Sequence, residues 1–479
     1  MSKLWQKEGA VKLNSVVERY TVGEDYLLDR VLFPYDIIGT LAHAKALAQA
    51  KVISLEELSS IQKTLKALAE LVKSGDVTIS IEDEDCHTVM ENYLVSELGD
   101  LGKKIHTGRS RNDQSLVALR LFMKENLLVT QQLVKKLAEE ILVYAKKYRS
   151  VAMPGYTHTQ QAMLTSVGHH MLSFVESLLD DFSFLDSVLK HIDKNPLGSA
   201  AGFGSNVPLD RELTTKELGF ASTQINSIYC QSSRGKFESV YLEGVNQIMM
   251  TLGRLAADFL MFTTREFSFF EVAADLTTGS SIMPQKKNLD LLEVLRANLS
   301  VCFANKEMVQ GISKGLPSGY NRDYQLIKKA VIQSTSIVQD SLQLISVFIG
   351  GIKPKSDEIL TKTQDDIYSA DLATQLSFEK GIPFRDAYQE VMTKFKDGFR
   401  ALGEDPQKVL QGRATLGAPG NDALSYYESL LISLGLLPTF RKILSLFKKR
   451  PFCVSAYDRV GEVEVDRRMK MVLYSAIAG

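Results

Sequence analysis

From Leu116 to Tyr148 the chain contains neither proline nor glycine, and Leu116, Leu119, Met123, Leu127, Thr130, Val134, Leu137, Ile141 and Tyr144 recur at steps of three or four. That spacing lays one mostly apolar stripe along a single long helix. Proline-free stretches also run from Gln160 to Asn195, Lys236 to Phe262, Asn288 to Gly311 and Tyr320 to Gly350. Ordinary globular helices have about 10–14 residues, so helices filling these stretches are about two to three times longer. Ile248-Met249-Met250 and Phe259-Leu260-Met261-Phe262 leave the 236–262 stretch apolar around much of its circumference. A helix of that kind requires neighbours on several sides, which predicts a bundle extended by association of subunits.

Strand signals are weak: β-prone pieces such as Val77-Thr78-Ile79-Ser80-Ile81 occur, but no series of alternating strands or βαβ units. Polar or glycine-bearing connections at 101–114, 153–159, 196–210, 276–287 and 313–321 separate the long helices. The expected architecture is all-α in three parts: an N-terminal helical domain over 1–109, a central long-helix bundle over 110–360 and a C-terminal helical domain over 361–479.

Charge excludes some partners. Lysine plus arginine (56) nearly balances aspartate plus glutamate (57). With no concentrated basic tract, nucleic acid is not an expected partner. No apolar run approaches the roughly 20 residues that cross a bilayer. Cys86, Cys230, Cys302 and Cys453 are scattered without a CxxC pair, which suits a reducing compartment better than a disulfide framework. Residues 1–8 lack the apolar core of a signal peptide. Together these features predict a cytoplasmic location.

Three connections carry concentrated chemistry. Gly279-Ser280-Ser281-Ile282-Met283-Pro284-Gln285-Lys286-Lys287-Asn288 combines small residues, two hydroxyls and two lysines just before a helix. Its composition fits a mobile loop with exposed backbone N–H groups that carries function, more than it fits a plain polar inter-helix connection. Ile105-His106-Thr107-Gly108-Arg109-Ser110-Arg111-Asn112-Asp113-Gln114 packs two guanidinium groups, an amide and a capping aspartate into the entry of the long helix. Such an entry suits a carboxylate ligand, or is simply a well-capped helix start. Pro154-Gly155-Tyr156-Thr157-His158-Thr159-Gln160 presents a histidine from a turn, where an acid/base group is useful and where ordinary surface histidines also occur.

Taken together, these segments resemble the argininosuccinate lyase family within the aspartase/fumarase superfamily. The 279–288 loop resembles the superfamily signature, and its Gln285-Lys286-Lys287-Asn288 ending looks like the argininosuccinate branch. The 105–114 segment resembles that branch throughout. Glu84-Asp85-Cys86-His87-Thr88, Leu316 to Asp323, Ser369 to Ala373 and Gly381 to Arg385 resemble further family blocks. The resemblance covers about residues 10–390, and the last ninety or so match poorly.

The resemblance implies cleavage of argininosuccinate to L-arginine and fumarate by general acid/base β-elimination, without cofactor or metal. It implies Ser280 as the group at the β-carbon, His158 as the second acid/base residue and Glu293 as the carboxylate orienting that histidine. Lys286 and Asn288 become the cation and donor for the developing dianion. Asn112, Thr157, Tyr320, Gln325 and Lys328 correspond to ligand-contacting positions, with His87, Arg111 and Ser281 beside them. His87 alone reads equally as a helix-surface histidine. The resemblance further implies a homotetramer whose active sites lie between subunits.

Metal and dinucleotide readings find little support. His169-His170 are adjacent rather than i,i+4, and Gly202-Phe203-Gly204 is a lone GxG. Three departures from the family pattern stand out. Asp25 lies near a position usually occupied by a substrate-contacting serine, Leu289 replaces a proline after the loop, and Ser233-Arg234-Gly235 stands for Asp-Arg-Asp. Two alternatives remain: another fumarate-releasing lyase such as one acting on adenylosuccinate, and a catalytically silent, crystallin-like structural homologue.

Overall fold

The computed structural model describes residues 14–401 and 405–434. Residues 1–8, Cys453 and the C-terminal domain from residue 435 onward lie outside the described residues. The fold is mostly helical, and its centre is the 37-residue helix Arg111–Lys147. At 1.5 Å per residue that helix is about 55 Å long. Ser110 caps it and shares a capping box with Asp113, so it begins five residues before the first residue of the apolar stripe. A polar first turn carries no periodic apolar signal, which is why periodicity alone starts this helix late.

Val167–Ile192, Lys236–Phe262, Asp290–Ser313 and Ile327–Gly350 pack with it into one bundle. One continuous core runs through the bundle and includes Val117, Leu119 and Met123 of the first helix, Phe237, Ile248 and Phe259 of the third and Ile327, Val338 and Ile345 of the last. The 236–262 helix matches its proline-free stretch at both ends. The helix expected from Tyr320 starts at Ile327, after a 3₁₀ turn over Arg322–Leu326. Asp25–Gln49 and Cys86–Leu98 lie against the start of the bundle, with Leu55–Ser74 outside them.

The 160–195 stretch corrects the helix expectation. Gln160–Ser166 is a strand, paired antiparallel with Ala152–Thr157 and bulged between Gly155 and Tyr156. The helix begins only at Val167. Absence of proline permits a helix but does not require one, and here the preceding Pro154 and Gly155 set up a hairpin instead. Among the described residues there are two further two-stranded sheets, Lys194–Asn195 with Ser222–Thr223 and Phe270–Val272 with Ile352–Pro354. Residues 77–81, β-prone in sequence, form no strand.

The hairpin is anchored just behind its exposed tip, at the Tyr156–Gln161 pair. The Tyr156 ring packs on Phe267 and Phe262, with centroids 5.6 and 6.1 Å away. Gln161 bonds both the Lys362 carbonyl (2.8 Å) and the Gln364 N–H (2.9 Å). The following helix can approach the end of the 111–147 helix because Gly168 has no side chain. A Cβ there would lie 2.6 Å from Arg149 Cα and 2.7 Å from the Ala145 carbonyl oxygen.

Gly168→Ala should therefore force these two helices apart. Overpacking of this kind costs about 1–3 kcal/mol. We expect a lower thermal midpoint by circular dichroism, and an unchanged midpoint would show that the helices yield freely.

Candidate active site

Asp25, Asp29 and Asp36 sit at i, i+4 and i+11 of the Asp25–Gln49 helix, a spacing that puts three carboxylates on one face. Asp29 and Asp36 are fully buried. Each has a cation to match. Lys328, from the first turn of Ile327–Gly350, donates to Asp29 Oδ1 at 2.8 Å and lies 3.2 Å from Asp25 Oδ1. His87 Nδ1, at the start of Cys86–Leu98, meets Asp36 Oδ2 at 2.6 Å, and Gln114 Nε2 donates to the same oxygen at 3.0 Å.

Above this buried layer opens a cavity of about 390 Å³, lined by Asp25, Glu84, Asp85, His87, Arg111, Asn112, Ser115, Arg234, Tyr320, Arg322, Tyr324, Gln325 and Lys328. Six of the residues singled out in the sequence thus converge: His87, Arg111, Asn112, Tyr320, Gln325 and Lys328. Arg111 donates to Asp85 Oδ2 (3.0 Å) and Thr88 Oγ1 (2.9 Å). Asp113 takes the N–H groups of Ser110, Gly198 and Ala200 at 2.9–3.0 Å, tying the helix entry to the loop beyond it. Gln325 Nε2 donates to the Thr21 and Val22 carbonyls, and its Oε1 accepts from Arg322 Nε at 3.1 Å. Arg322 also holds Glu84 at 2.7 Å.

Arg234 is buried and donates to the Asn112 carbonyl, Ser115 Oγ and Gln231 Oε1, with its guanidinium 5.2 Å from the Tyr320 ring centroid. The glycine after it is matched to its surroundings. Gly235 has φ 75°, and a Cβ there would sit 1.7 Å from Ser313 Oγ, so an acidic residue has no room. A second cavity, of about 500 Å³, shares Arg234 and Tyr324 and is lined otherwise by Ser232, Lys236, Ser313, Lys314 and the Leu316-Pro317-Ser318 start of a family block, but by none of the proposed acid/base residues.

Burial and charge set the protonation preferences. Burial opposes a charged His87, but the charge and hydrogen bond of Asp36, aided by Asp85 and Asp29, outweigh it and raise the imidazole above its ordinary value. Burial would raise Asp29, yet Lys328 and His87 hold it below the usual carboxylate range. Burial lifts the Asp25 carboxyl to about 6, with Lys328 opposing and Asp29 adding. Asp29, Cys86 and His87 lie close enough to share an ion. Both Asp29 oxygens are already bonded, to Lys328 and to the Cys86 N–H, and burial pushes the Cys86 thiol well up, against the thiolate a metal needs.

The residues that the resemblance implies for the acid/base chemistry lie elsewhere. His158 and Thr159 form the exposed tip of the hairpin, both at positive φ (53° and 61°). Two such residues in a two-residue turn match the twist of the strands, at a steric cost to non-glycine side chains. Thr157 is exposed beside them. The 279–288 loop is closed by a bridge between Thr278 and Asn288, their N–H and carbonyl groups exchanging bonds of 2.9 and 3.0 Å. Inside it Ser280 Oγ accepts the Met283 N–H at 3.2 Å, the kind of donor that favours an ionised hydroxyl. Asn288 Nδ2 donates to the Gly279 carbonyl. Ser281 and Lys286 are exposed. Leu289, where a proline was expected, is buried and anchors the loop exit.

Within one chain the loop and the hairpin tip do not join the cavity. Among the described residues His158 has no hydrogen bond to Glu293, which is exposed on the Asp290–Ser313 helix. Asp29, Asp36 and Ser115 lie outside the motifs read in the sequence, and Glu84, Asp85 and Arg322 lie within family blocks but were given no role. For Asp29 and Asp36 a signal was present: with Asp25 they put three aspartates on one face of an otherwise apolar helix, which are hard to bury without cations.

The sequence pattern that defines the lyase family matches residues 17–303, so the class is a lyase. The argininosuccinate lyase of Thermotoga neapolitana is 41% identical over 396 residues, covering 82% of this chain and 98% of that protein. The argininosuccinate lyase of Xanthomonas campestris pv. campestris is 40% identical over 416 residues, covering 87% and 95%. The chain belongs to the argininosuccinate lyase family. Among solved structures, a variant of EDDS lyase with bound fumarate shares the fold with a TM-score of 0.72 at 21% identity, covering 98% of this chain and 97% of that one. Class II fumarase from Schistosoma mansoni does so at 0.66 and 16% identity, covering 83% and 95%.

Because the folded pKa of His87 lies above its unfolded value of about 6.5, the His87–Asp36 pair contributes fully below that pH and fades as pH rises through the folded value. Urea unfolding from pH 6 upward should show stability falling with pH in the wild type and a flatter profile in His87→Gln. Equal slopes in the two proteins would count against a charged pair.

Proposed function

We propose that the chain cleaves argininosuccinate to L-arginine and fumarate by a cofactor-free β-elimination, in the cytoplasm. The observation that carries this reading is the convergence of His87, Arg111, Asn112, Tyr320, Gln325 and Lys328 on one charge-lined cavity. A ligand with three carboxylates, an ammonium and a guanidinium suits walls of guanidinium, amide, hydroxyl and carboxylate groups.

In the proposed reaction Ser280 removes the proton from the carbon next to a succinyl carboxylate. The electron pair spreads into that carboxylate, where Lys286 and Asn288 stabilise the added charge. The pair then returns to form the fumarate double bond as the carbon–nitrogen bond breaks. His158, oriented by Glu293, supplies the proton to the departing nitrogen, so the enzyme's two proton transfers balance. Thr157 and Ser281 complete the substrate contacts.

Since hairpin tip, loop and cavity lie apart in one chain, the reading requires assembly. We propose a homotetramer of chains divided near 109 and 360, whose central bundles pack so that each site takes the three segments from different subunits. Exposed apolar side chains on the long helices support this: Met250, Val294, Phe303, Met308 and Val347 are each more than a third exposed. Among the described residues no helix is long and apolar enough to cross a membrane.

The ultraviolet rise of fumarate, with argininosuccinate, adenylosuccinate or aspartate as sole substrate, tests the activity. We expect signal with argininosuccinate alone. Silence with all three would favour a structural homologue, and signal with adenylosuccinate would favour the neighbouring lyase. Ser280→Ala and His158→Asn should each lose about 10²–10⁴-fold in turnover. Random re-assembly of the two inactive variants should restore wild-type contributions at about one site in four, given sites shared between subunits. A confirmed hybrid with no activity would contradict the shared site.

A further inference from the structure

The acids around the cavity are paired with cations one to one, with a single exception among the described residues. Asp85 holds Arg111 at 3.0 Å, Glu84 holds Arg322 at 2.7 Å, Asp36 holds His87 at 2.6 Å, and Asp29 takes Lys328 at 2.8 Å. Asp25 has only a share of that same Lys328 ammonium, 3.2 Å away. One positive charge between two carboxylates leaves one negative charge unmatched. Asp29 is wholly buried behind the wall, whereas Asp25 lines the cavity, so the unmatched charge faces the ligand. Burial raises its carboxyl to about 6, with Lys328 opposing the rise and Asp29 and Asp85 adding to it. A largely desolvated carboxylate is costly unless a cation meets it.

We infer that Asp25 is a specificity-determining residue that receives a cationic N–H group from the arginine half of the substrate, either the guanidinium or the α-ammonium. This deepens the proposed function and rests on it. The departure at Asp25 thereby acquires a role: an uncharged hydroxyl there would leave Lys328 balanced by Asp29 alone, whereas the carboxylate makes this part of the wall anionic and selects against ligands that lack the cation.

Asp25→Asn and Asp25→Glu test the assignment, read by fumarate release and by competitive inhibition. The inhibitors are L-arginine, L-citrulline, which has a neutral ureido group, and 5-guanidinopentanoate, which lacks the α-ammonium. For Asp25→Asn the KM for argininosuccinate should rise roughly 10- to 100-fold, as loss of a charge-assisted hydrogen bond does, with kcat little changed. The variant should also lose the preference for L-arginine over L-citrulline if the guanidinium is the partner, or over 5-guanidinopentanoate if the ammonium is. Asp25→Glu should recover part of the affinity.

In the wild type KM should rise as pH falls below about 6, and this rise should vanish in Asp25→Asn. The other charged groups around Asp25 and across its cavity are unchanged in that comparison: Asp29 on its own helix, Lys328 on the last bundle helix, Glu84, Asp85, His87 and Arg111 at the entries of the other two, and Arg234 and Arg322 on connections that line the same cavity. Unchanged KM and unchanged inhibitor preferences in Asp25→Asn would overturn the inference, as would a fall in kcat alone. If the wild type releases no fumarate, the functional reading fails separately. Calorimetric binding of L-arginine to wild type and Asp25→Asn still decides the role of Asp25, and absence of L-arginine binding to the wild type also ends the inference.

Discussion

A buried ammonium group holds the site together. Lys328 lies beneath the cavity with Asp29 at 2.8 Å and Asp25 at 3.2 Å, and the His87–Asp36 pair lies beside it. Charges taken out of water are tolerated only when partners replace the lost solvation, so each member constrains the positions of the others. The members come from Asp25–Gln49, Cys86–Leu98 and Ile327–Gly350, and Gln114 of the long central helix bonds Asp36 as well. Four helices that could slide along apolar faces are thereby held in one register. Cavity-lining residues such as Asn112 and Gln325 inherit their placement from that registration.

The two halves of the proposed chemistry obey different mechanics. The cavity is built into the core, with its polar groups cross-bonded. The acid/base groups are carried on a hairpin tip and a loop that project from the bundle. Their supports are local: Tyr156 on an aromatic cluster just behind the hairpin tip, and the Thr278–Asn288 bridge with buried Leu289 at the neck of the loop. Backbone strain at His158 and Thr159 is concentrated at the tip, where it aims side chains outward and serves no packing. In the proposed reading, a rigid binding surface in one chain meets reactive groups held out by a neighbour, which ties catalysis to assembly.

Much of this was legible before any coordinates. Steps of three and four located the long helices, and a capping aspartate was expected at the entry of the central one, where Asp113 shares a capping box with Ser110. The family motifs assembled six of the cavity residues. The strand Gln160–Ser166 was not legible, because lack of proline says nothing about the pairing partner that a hairpin supplies. Nor were Asp29 and Asp36 recognised, since an aspartate in an apolar helix has meaning only once its cation, some fifty to three hundred positions away, is known.

The chain's own residues determine the bundle and the chemical groups available, because both follow from local pattern: apolar periodicity, caps, and the side chains of compact motifs. Which acids pair with which cations, and hence that Asp25 is left facing the cavity without a cation of its own, was decided only by tertiary structure. The physical reason is that electrostatic balance depends on distance and burial in space, and neither is a function of separation along the chain.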